Sequence, residues 1–337
     1  MGASTITARG GRSFLGRSPL SRVPDRLLKW GLSGLAVGIL ILIGYFFVRL
    51  IGQSTNAFNH MGVFGFIFRN DWDISRNIYG AWPLVVGTLV TSAIALVIGV
   101  PVAVAAGIYL TELCPRRARR PVSLLVDLLA AVPSVVYGLW GVFVLIPKLK
   151  PAEQWFADTF HFLPFVAGNV PGPSYFIAGL ILAIMIVPIV SAISREVITT
   201  VPAEHKEAAL ALGATRWEMI RMAVLPYSRA GIVGAAMLGL GRAIGETIAV
   251  TLVIGDSPTL GHSIFQQGYT LAAAPANEFG EATGLHTSAL FAAGLVLFVL
   301  TLVVNIAARA FITRSEGGKR GAGDVFAPSV EAGPASA

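Results

Sequence analysis

Six long apolar segments, separated by shorter polar connections, dominate the pattern of hydrophobic and polar positions along the chain. They cover residues 30–50, 82–111, 122–146, 174–194, 230–254 and 287–312. A transmembrane helix needs about 20 consecutive apolar residues, so each segment is long enough to cross a bilayer. Pro101, Pro133 and Pro188 interrupt three of them, where neighbouring helices can satisfy the backbone groups that a proline frees. The pattern predicts an all-α membrane protein with six spanning helices.

The composition agrees with this class and excludes an ordinary soluble domain. Hydrophobic residues make up 55% of the 337 positions and charged residues only 13%, whereas soluble domains carry about 25% charged residues. The net charge of +7 is best explained by lysines and arginines that set membrane topology, so we expect no nucleic-acid partner. The single cysteine, Cys114, cannot form a disulfide within the chain.

The distribution of lysine and arginine predicts the orientation of the spans. With both termini cytoplasmic, most basic residues fall in the leader, the second-to-third connection, the fourth-to-fifth connection and the tail. The opposite side then holds Arg49, Arg69, Arg76, Lys148 and Lys150. Cytoplasmic loops carry such an excess of positive charge. We therefore predict that both termini are cytoplasmic.

Both ends of the chain are predicted to be disordered. Residues 1–29 and 315–337 are rich in glycine, serine, alanine, proline and charge, a composition that cannot bury enough apolar surface to fold. Residues 30–314 remain as the membrane domain. A basic leader before an apolar segment is also typical of a signal peptide. Segment 30–50 is longer than a usual signal core, however, and no small-x-small cleavage site follows it, so we predict an uncleaved first helix.

The outer segment 52–81 is rich in aromatic residues. They are Phe58, Phe64, Phe66, Phe68, Trp72 and Tyr79. Aromatic rings concentrate at the membrane–water interface, and an interfacial belt is the simpler interpretation. A docking surface for an external partner is the alternative.

The cytoplasmic connection 195–229 has a pattern that is too regular for a simple linker. Pro202 suits the first position of a helix, the residues KEAALALG are strong helix formers, and Gly213 is a natural helix stop. Thr215 and Glu218 have the spacing of a capping box that opens a second helix. We predict two short helices with a bend at Gly213.

The same connection resembles the EAA loop of ABC importer permeases. The residues that carry the resemblance are Glu207, Ala208, Ala209, Gly213, Leu225 and Pro226. In that family the coupling helix of this loop docks in a groove on the cytoplasmic ATPase, and the resemblance implies this role here. The family usually has isoleucine at the position of Ala223. This chain departs from the pattern there, and the departure affects one packing contact. The competing interpretation is an amphipathic helix that rests on the membrane.

Longer segments resemble the phosphate-specific ABC importer permeases, in particular the PstC-type subunit. They are AAVPSVVYGLWGVFVLIPKL at 130–149, ISREV at 193–197, EAALALGATRWEM at 207–219 and GLGRAIGETIAV at 239–250. The similarity covers about residues 80–312 and implies a MetI-like permease core in a bacterial plasma membrane, working by alternating access. The implied partners are a homologous PstA-type permease, a dimer of ATP-binding subunits and an extracytoplasmic phosphate-binding protein.

The chain has no G-x-x-x-x-G-K-[ST] motif, the loop that cradles nucleotide phosphates in many ATPases. We therefore expect a transporter subunit rather than an enzyme, with no cofactor of its own and with ATP used by the partner ATPase. His161, His262 and His286 are scattered in outer loops without ligand spacing, so we expect no metal site. A permease for sulfate, molybdate or another oxyanion remains an alternative, and a passive channel is a more distant one.

Two charges lie inside the fifth apolar segment, where an ionised side chain is costly and usually functional. Arg242 and Glu246 are four residues apart and would share one face of a helix. Gly241 and Gly245 form a small-xxx-small pair beside them that permits close helix packing. Either the two charges form a structural ion pair, or Arg242 lines the translocation path and meets phosphate while Glu246 holds it in place.

Asp127 is a further candidate for the path. It falls within the third predicted span, near the inner end. It could line or gate the path, or it could pair with Arg120 or with another helix. A structural or interfacial role is the simpler interpretation.

Overall fold

The computed structural model describes residues 22–323, with the side chains of residues 27–310. Among these residues, six helical runs are long and apolar enough to cross a membrane. They are Leu27–Met61, Trp82–Leu113, Ser134–Thr159, Tyr175–Thr199, Arg216–Gly245 and Leu285–Ala310. The prediction of an all-α, multi-pass membrane protein with six spans is confirmed.

Most elements follow one another with short connections, while residues 160–174 and 255–272 form longer ones. The helices are α1 (Arg22–Met61), α2 (Val63–Phe68), α3 (Trp82–Ile108), α4 (Arg116–Ala130), α5 (Ser134–Trp140), α6 (Ile146–Thr159), α7 (Tyr175–Thr199), α8 (Ala203–Ala211), α9 (Arg216–Met219), α10 (Leu225–Gly245), α11 (Ile248–Ile254), α12 (Ala273–Glu278) and α13 (Leu285–Gly323). Strands β1 (Trp72–Asp73) and β2 (Ile78–Tyr79) form an antiparallel pair. Three π-helical segments, Tyr109–Leu113, Gly141–Leu145 and Ile220–Val224, continue or join α-helices.

The chain divides into two compact units after Leu50. In the first unit, the described residues form the amino-terminal part of α1. Its large apolar side chains are exposed, and Leu35 and Ile41 are each 66% exposed. Such exposure is expected of a spanning helix that faces lipid or other membrane helices. The second unit contains the remaining elements.

Helix α7 is the centre of the second unit. It packs against α3, α10 and α11 around a core of isoleucine, valine and alanine side chains. Glycines permit the close approach: a Cβ added at Gly179 would lie 2.6 Å from Ile94, and one at Gly239 would lie 2.7 Å from Val190. Small residues at helix contacts drive packing in membranes, where burial of apolar surface alone gives little advantage.

The third span differs from its predicted bounds of 122–146. Helix α4 ends at Ala130 and α5 begins after Pro133, so residues 122–130 belong to a separate helix. Pro133 has a ψ of 139°, outside the helical range. Proline donates no backbone hydrogen bond and disfavours helix in the residue before it, and at this position it ends the helix rather than kinking it.

The fifth predicted segment, 230–254, is also not one helix. The helical run starts earlier, at Arg216, and passes through Ile220–Val224 into α10. Pro226 therefore lies inside this run, in the first turn of α10, and not before the span as predicted. The run ends at Gly245, and α11 starts at Ile248.

The terminal helices extend into segments that were predicted to be disordered. Helix α1 begins at Arg22 and α13 continues to Gly323, so residues 22–29 and 315–323 are helical. The rest of the predicted leader and tail, 1–21 and 324–337, lies outside the described residues.

Candidate translocation and coupling sites

Arg242 and Glu246 meet at a break between two helices. Arg242 is in the last turn of α10, while Glu246 follows the helix with extended backbone at φ −72° and ψ 128°. The predicted shared helical face is therefore wrong, because Glu246 is not helical. The break still leaves Arg242 Nη2 4.0 Å from Glu246 Oε2, with the side chains 40% and 10% exposed. The carboxylate is largely buried and the guanidinium is accessible, so Arg242 can form further hydrogen bonds.

The two glycines beside this pair do not mediate close packing within the chain. A Cβ added at Gly241 or Gly245 would meet nothing within 4 Å. The packed face of α10 carries Ala235, Gly239 and Ala243 instead, all of them buried. These three residues are spaced by one helical turn, so they face α7 together, whereas Gly241 and Gly245 lie on other faces of the helix.

Tyr137 is a neighbour of Arg242 that the sequence did not single out. Its hydroxyl donates a hydrogen bond to the Leu129 carbonyl oxygen at 2.8 Å, which ties α5 to α4 across the break at Pro133. Its phenol is also close enough to Arg242 for an electrostatic interaction. Helix α5 packs tightly on α11 at Gly138. Only this packing relates Tyr137 to Arg242, since no sequence spacing connects them.

Asp127 lies on α4 and not within the third span. Its Oδ1 atom accepts a hydrogen bond from Arg195 Nη2 of α7 at 2.5 Å. The Asp127 side chain is 46% exposed and that of Arg195 is 16% exposed. Of the roles considered from the sequence, the structure places Asp127 in an ion pair with another helix, and Arg120 is not its partner.

The connection 195–229 has the local features that the sequence predicted. Helix α8 is followed by Gly213 at φ +86°, a conformation that favours glycine. Thr215 and Glu218 then form a complete capping box at the start of α9. The short helix α8 and the bend at Gly213 are confirmed. The predicted second short helix is instead the first turn of the long helical run Arg216–Gly245.

The surface of this connection is unusually apolar. Leu212 is 90% exposed, and Trp217 and Met222 are also exposed. A depression of about 510 Å³ lies between α8 and the following helical run. The residues that line it are Ala209, Leu212, Gly213, Ala214, Glu218, Met222 and Ala223. Exposed apolar surface of this kind is typical of sites that contact another protein or a membrane.

The remaining positions of the EAA-like pattern are spread over this region. Glu207 and Ala208 are exposed on α8, while Ala209 is half-buried. Ala209 and Leu225 border an apolar cluster that contains Ile108 of α3. The pattern thus combines exposed positions on α8 with positions that anchor the connection to the membrane domain.

The aromatic segment at the outer side is mostly packed, not displayed. Trp72 and Tyr79 are buried, and Trp72 Nε1 donates a hydrogen bond to Glu278 Oε2 at 3.1 Å. The same oxygen lies 2.8 Å from His286 Nε2. His286 is in the first turn of α13 and not in a loop, as the sequence had indicated. Phe64 remains 78% exposed, so an interfacial belt describes only some of these rings.

A depression of about 560 Å³ beside this segment is lined by several acidic residues, including Asp256. Burial, reinforced by the charge of Glu278, raises the pKa of Asp256 to about 6, against a hydrogen bond from Asn277 that lowers it. In the part of the chain with described side chains, no three histidine, cysteine or acidic residues are grouped as a metal site requires.

Comparison with known proteins places this architecture. Residues 99–316 match the family model described as "binding-protein-dependent transport system inner membrane component". The chain is 45% identical over 286 residues to the phosphate transport system permease protein PstC of Pasteurella multocida, covering 83% of this chain and 89% of that protein. It is also 45% identical over 302 residues to PstC 2 of Mycobacterium tuberculosis, covering 86% and 92%. The chain belongs to the PstC family of binding-protein-dependent transport permeases.

A solved structure agrees with this PstC-family assignment at the level of the fold. It is the crystal structure of a bacterial ABC transporter involved in the import of the acidic polysaccharide alginate. The TM-score is 0.52 at 17% sequence identity, with 86% of this chain and 98% of that chain covered. The predicted ABC importer permease fold is confirmed.

Proposed function

We propose that this chain is the membrane permease subunit of an ATP-driven phosphate importer. The observation that carries the proposal is the 45% identity to PstC phosphate transport permeases over more than four-fifths of the chain. The chain forms half of the translocation path, and the other half comes from a homologous PstA-type permease. An extracytoplasmic binding protein delivers phosphate, and a dimer of ATP-binding subunits drives alternating access.

Arg242 is the proposed contact for phosphate within the path. Its guanidinium is a permanently charged planar fork that matches phosphate oxygens, and it is accessible at the helix break. Glu246, only 10% exposed, compensates the charge so that phosphate is held weakly enough to leave. Phosphate near neutral pH keeps a proton that sulfate has lost, and Glu246 can accept a hydrogen bond from it. Gly241 and Gly245 leave space beside Arg242 for the second permease, and Asp127 contributes through its pairing near the inner end.

The EAA-like connection is the proposed attachment site for the ATPase. Leu212, Trp217 and Met222 present apolar side chains that a partner would bury, and the depression beside α8 offers it a recess. Glu207 and Ala208 face outward on α8. This chain binds no cofactor in the mechanism, because the ATPase subunits bind and hydrolyse ATP. The connection and both termini are cytoplasmic, and the membrane is the bacterial plasma membrane.

Uptake by the reconstituted four-component complex tests the proposal. Proteoliposomes that contain the two permeases and the ATPase dimer receive binding protein outside and ATP inside, and radiolabelled phosphate or sulfate is supplied. We expect phosphate uptake that requires both ATP and the binding protein. Uptake of sulfate but not of phosphate would show that the proposed substrate is wrong. Uptake that needs no ATP would show that the complex is a passive channel and not an ATP-driven importer.

A further inference from the structure

Helix α8 contacts the rest of this chain on one side, while several of its other side chains are exposed. Lys206 and Ala209 are half-buried and three residues apart, while Glu204, Glu207 and Ala208 are exposed. Residues three apart on a helix are neighbours on one face. Ala209 reaches the apolar cluster that includes Ile108 of α3. The attached side therefore includes the contact of Ala209 with this cluster and the contact that Lys206 makes.

Lys206 binds a carboxylate of the second span. Its Nζ atom donates a hydrogen bond to Glu112 Oε1 at 2.6 Å. The side chains of Lys206 and Glu112 are only 21% and 11% exposed. Exposed ion pairs contribute little to stability. For a pair that is largely removed from water, loss of one partner leaves the other charge poorly solvated, so the pair is a strong constraint.

The pair joins two elements of irregular helical geometry. Glu112 lies in the π-helical segment Tyr109–Leu113 at the inner end of the second span. Helix α8 also packs on the π-helical segment Ile220–Val224, which begins the fifth span. π-Helical segments are rare and often occur at functional sites. Helix α8 thus contacts the inner ends of two spans, in each case at a segment where the backbone hydrogen bonding changes from α-helical to π-helical.

The second span leads directly to the candidate path. Helix α3 packs against α7 and against α10, and α10 carries Arg242 at its far end. A displacement of α8 that pulled on Glu112 would move α3 along a face that it shares with α10. Packed helices transmit such displacements because their interiors are dense and only slightly compressible.

We propose that Lys206 and Glu112 are positioning residues that transmit the movement of α8 to the second span and so couple ATP hydrolysis to phosphate movement. The inference rests on the proposed function. It adds a specific ion pair, 94 positions apart in sequence, as the connection between the ATPase-facing helix and the membrane domain.

The test compares phosphate imported with ATP hydrolysed in the reconstituted complex. Lys206→Met and Glu112→Gln each remove the ion pair, and the double exchange Lys206→Glu with Glu112→Lys restores it in reverse. Glu196→Gln is the matched control, because Glu196 is an exposed carboxylate at the inner end of α7. Only assembled complexes are compared, as judged by size-exclusion chromatography.

We expect both single variants to hydrolyse ATP while the phosphate imported per ATP falls about fivefold or more, the usual scale of coupling between sites. The exchange should recover most of this ratio, and the control should keep it. The proposal would be overturned if the single variants kept the wild-type ratio, or if their uptake and hydrolysis fell in proportion. It would also be overturned if the double exchange remained uncoupled. Failure of all three variants to assemble would assign the pair to folding and would overturn it too. A wild-type complex that imports no phosphate refutes the proposed function instead, before any variant is compared.

Discussion

Replacing Arg242 by glutamine separates a structural from a functional role, because the two roles predict different magnitudes. The Arg242–Glu246 distance is 4.0 Å and the Arg242 side chain is 40% exposed. At an effective dielectric constant of 20 the Coulomb energy of such a pair is about 4 kcal/mol. Exposure and screening reduce the net contribution of accessible pairs to about 1 kcal/mol or less. Glu246 is only 10% exposed, however, so Arg242→Gln leaves a poorly solvated carboxylate without its partner and should also lower the stability of the complex.

The functional role predicts a larger effect on transport. A hydrogen bond to a charged group contributes about 1.5–3 kcal/mol, and each 1.4 kcal/mol is about a factor of ten in rate. If Arg242 meets phosphate in the path, Arg242→Gln should lower uptake per assembled complex by roughly 10-fold to 100-fold. Arg242→Lys should also lower uptake, since lysine keeps the charge but not the planar fork.

A double variant provides the refutation. If Arg242 only neutralises Glu246, then Arg242→Gln combined with Glu246→Gln removes the unpaired carboxylate and restores uptake to the level of Glu246→Gln alone. If Arg242 contacts phosphate, the double variant stays as inactive as Arg242→Gln. The assay is ATP-dependent uptake of radiolabelled phosphate into proteoliposomes, with complex assembly and ATP hydrolysis measured on the same samples. Full recovery in the double variant, or normal uptake by Arg242→Lys, would refute the reasoning.

Three further predictions concern packing, capping and pH. Gly87→Ala should lower the thermal midpoint, because the new Cβ would lie 1.9 Å from the Tyr269 backbone oxygen and overpacking costs about 1–3 kcal/mol. Gly234→Ala, with nothing within 4 Å of the new Cβ, should leave the midpoint unchanged, and equal midpoints for the two variants would contradict this. Thr215→Ala should cost about 0.5–2 kcal/mol of local stability, seen as faster amide hydrogen exchange at residues 216–219, and unchanged exchange would count against the capping box. Burial holds the pKa of Asp256 near 6 instead of 3.8, so the folded state retains this proton longer than the unfolded state, and the resulting stabilisation is lost as pH rises from about 4 to about 6. Asp256→Asn should make the thermal midpoint less dependent on pH between about 4 and about 6 and should raise the midpoint above pH 6. An unaltered pH dependence would refute the raised pKa of Asp256.

Much of the connection 195–229 was predictable from sequence because its structure is local. The capping box between Thr215 and Glu218, and the bend at Gly213, depend on hydrogen bonds and backbone conformations within a few residues. Such features need no knowledge of distant partners. The short helix α8 follows from the same local rules, whereas the continuation of α9 into the fifth span was not predicted.

The helix breaks in the third and fifth segments were not predicted because hydropathy does not register them. Residues 248–254 are as apolar as the helix before Gly245, so the segment reads as one continuous span. Glu246 was expected to be helical for that reason. Pro133 was visible in the sequence, but whether a proline kinks or ends a helix depends on the neighbouring helices that accept the freed backbone groups.

Hydrophobic periodicity, the distribution of basic residues and local motifs were sufficient for the protein class, the number of spans, the cytoplasmic helices and the family resemblance. These properties depend on the solvent that each segment requires and on contacts between near neighbours. The pairings of Lys206 with Glu112 and of Arg195 with Asp127 came only from the tertiary structure. They join residues far apart in the chain, and the packing of α3, α7, α10 and α11 decides which of many possible partners each charge meets.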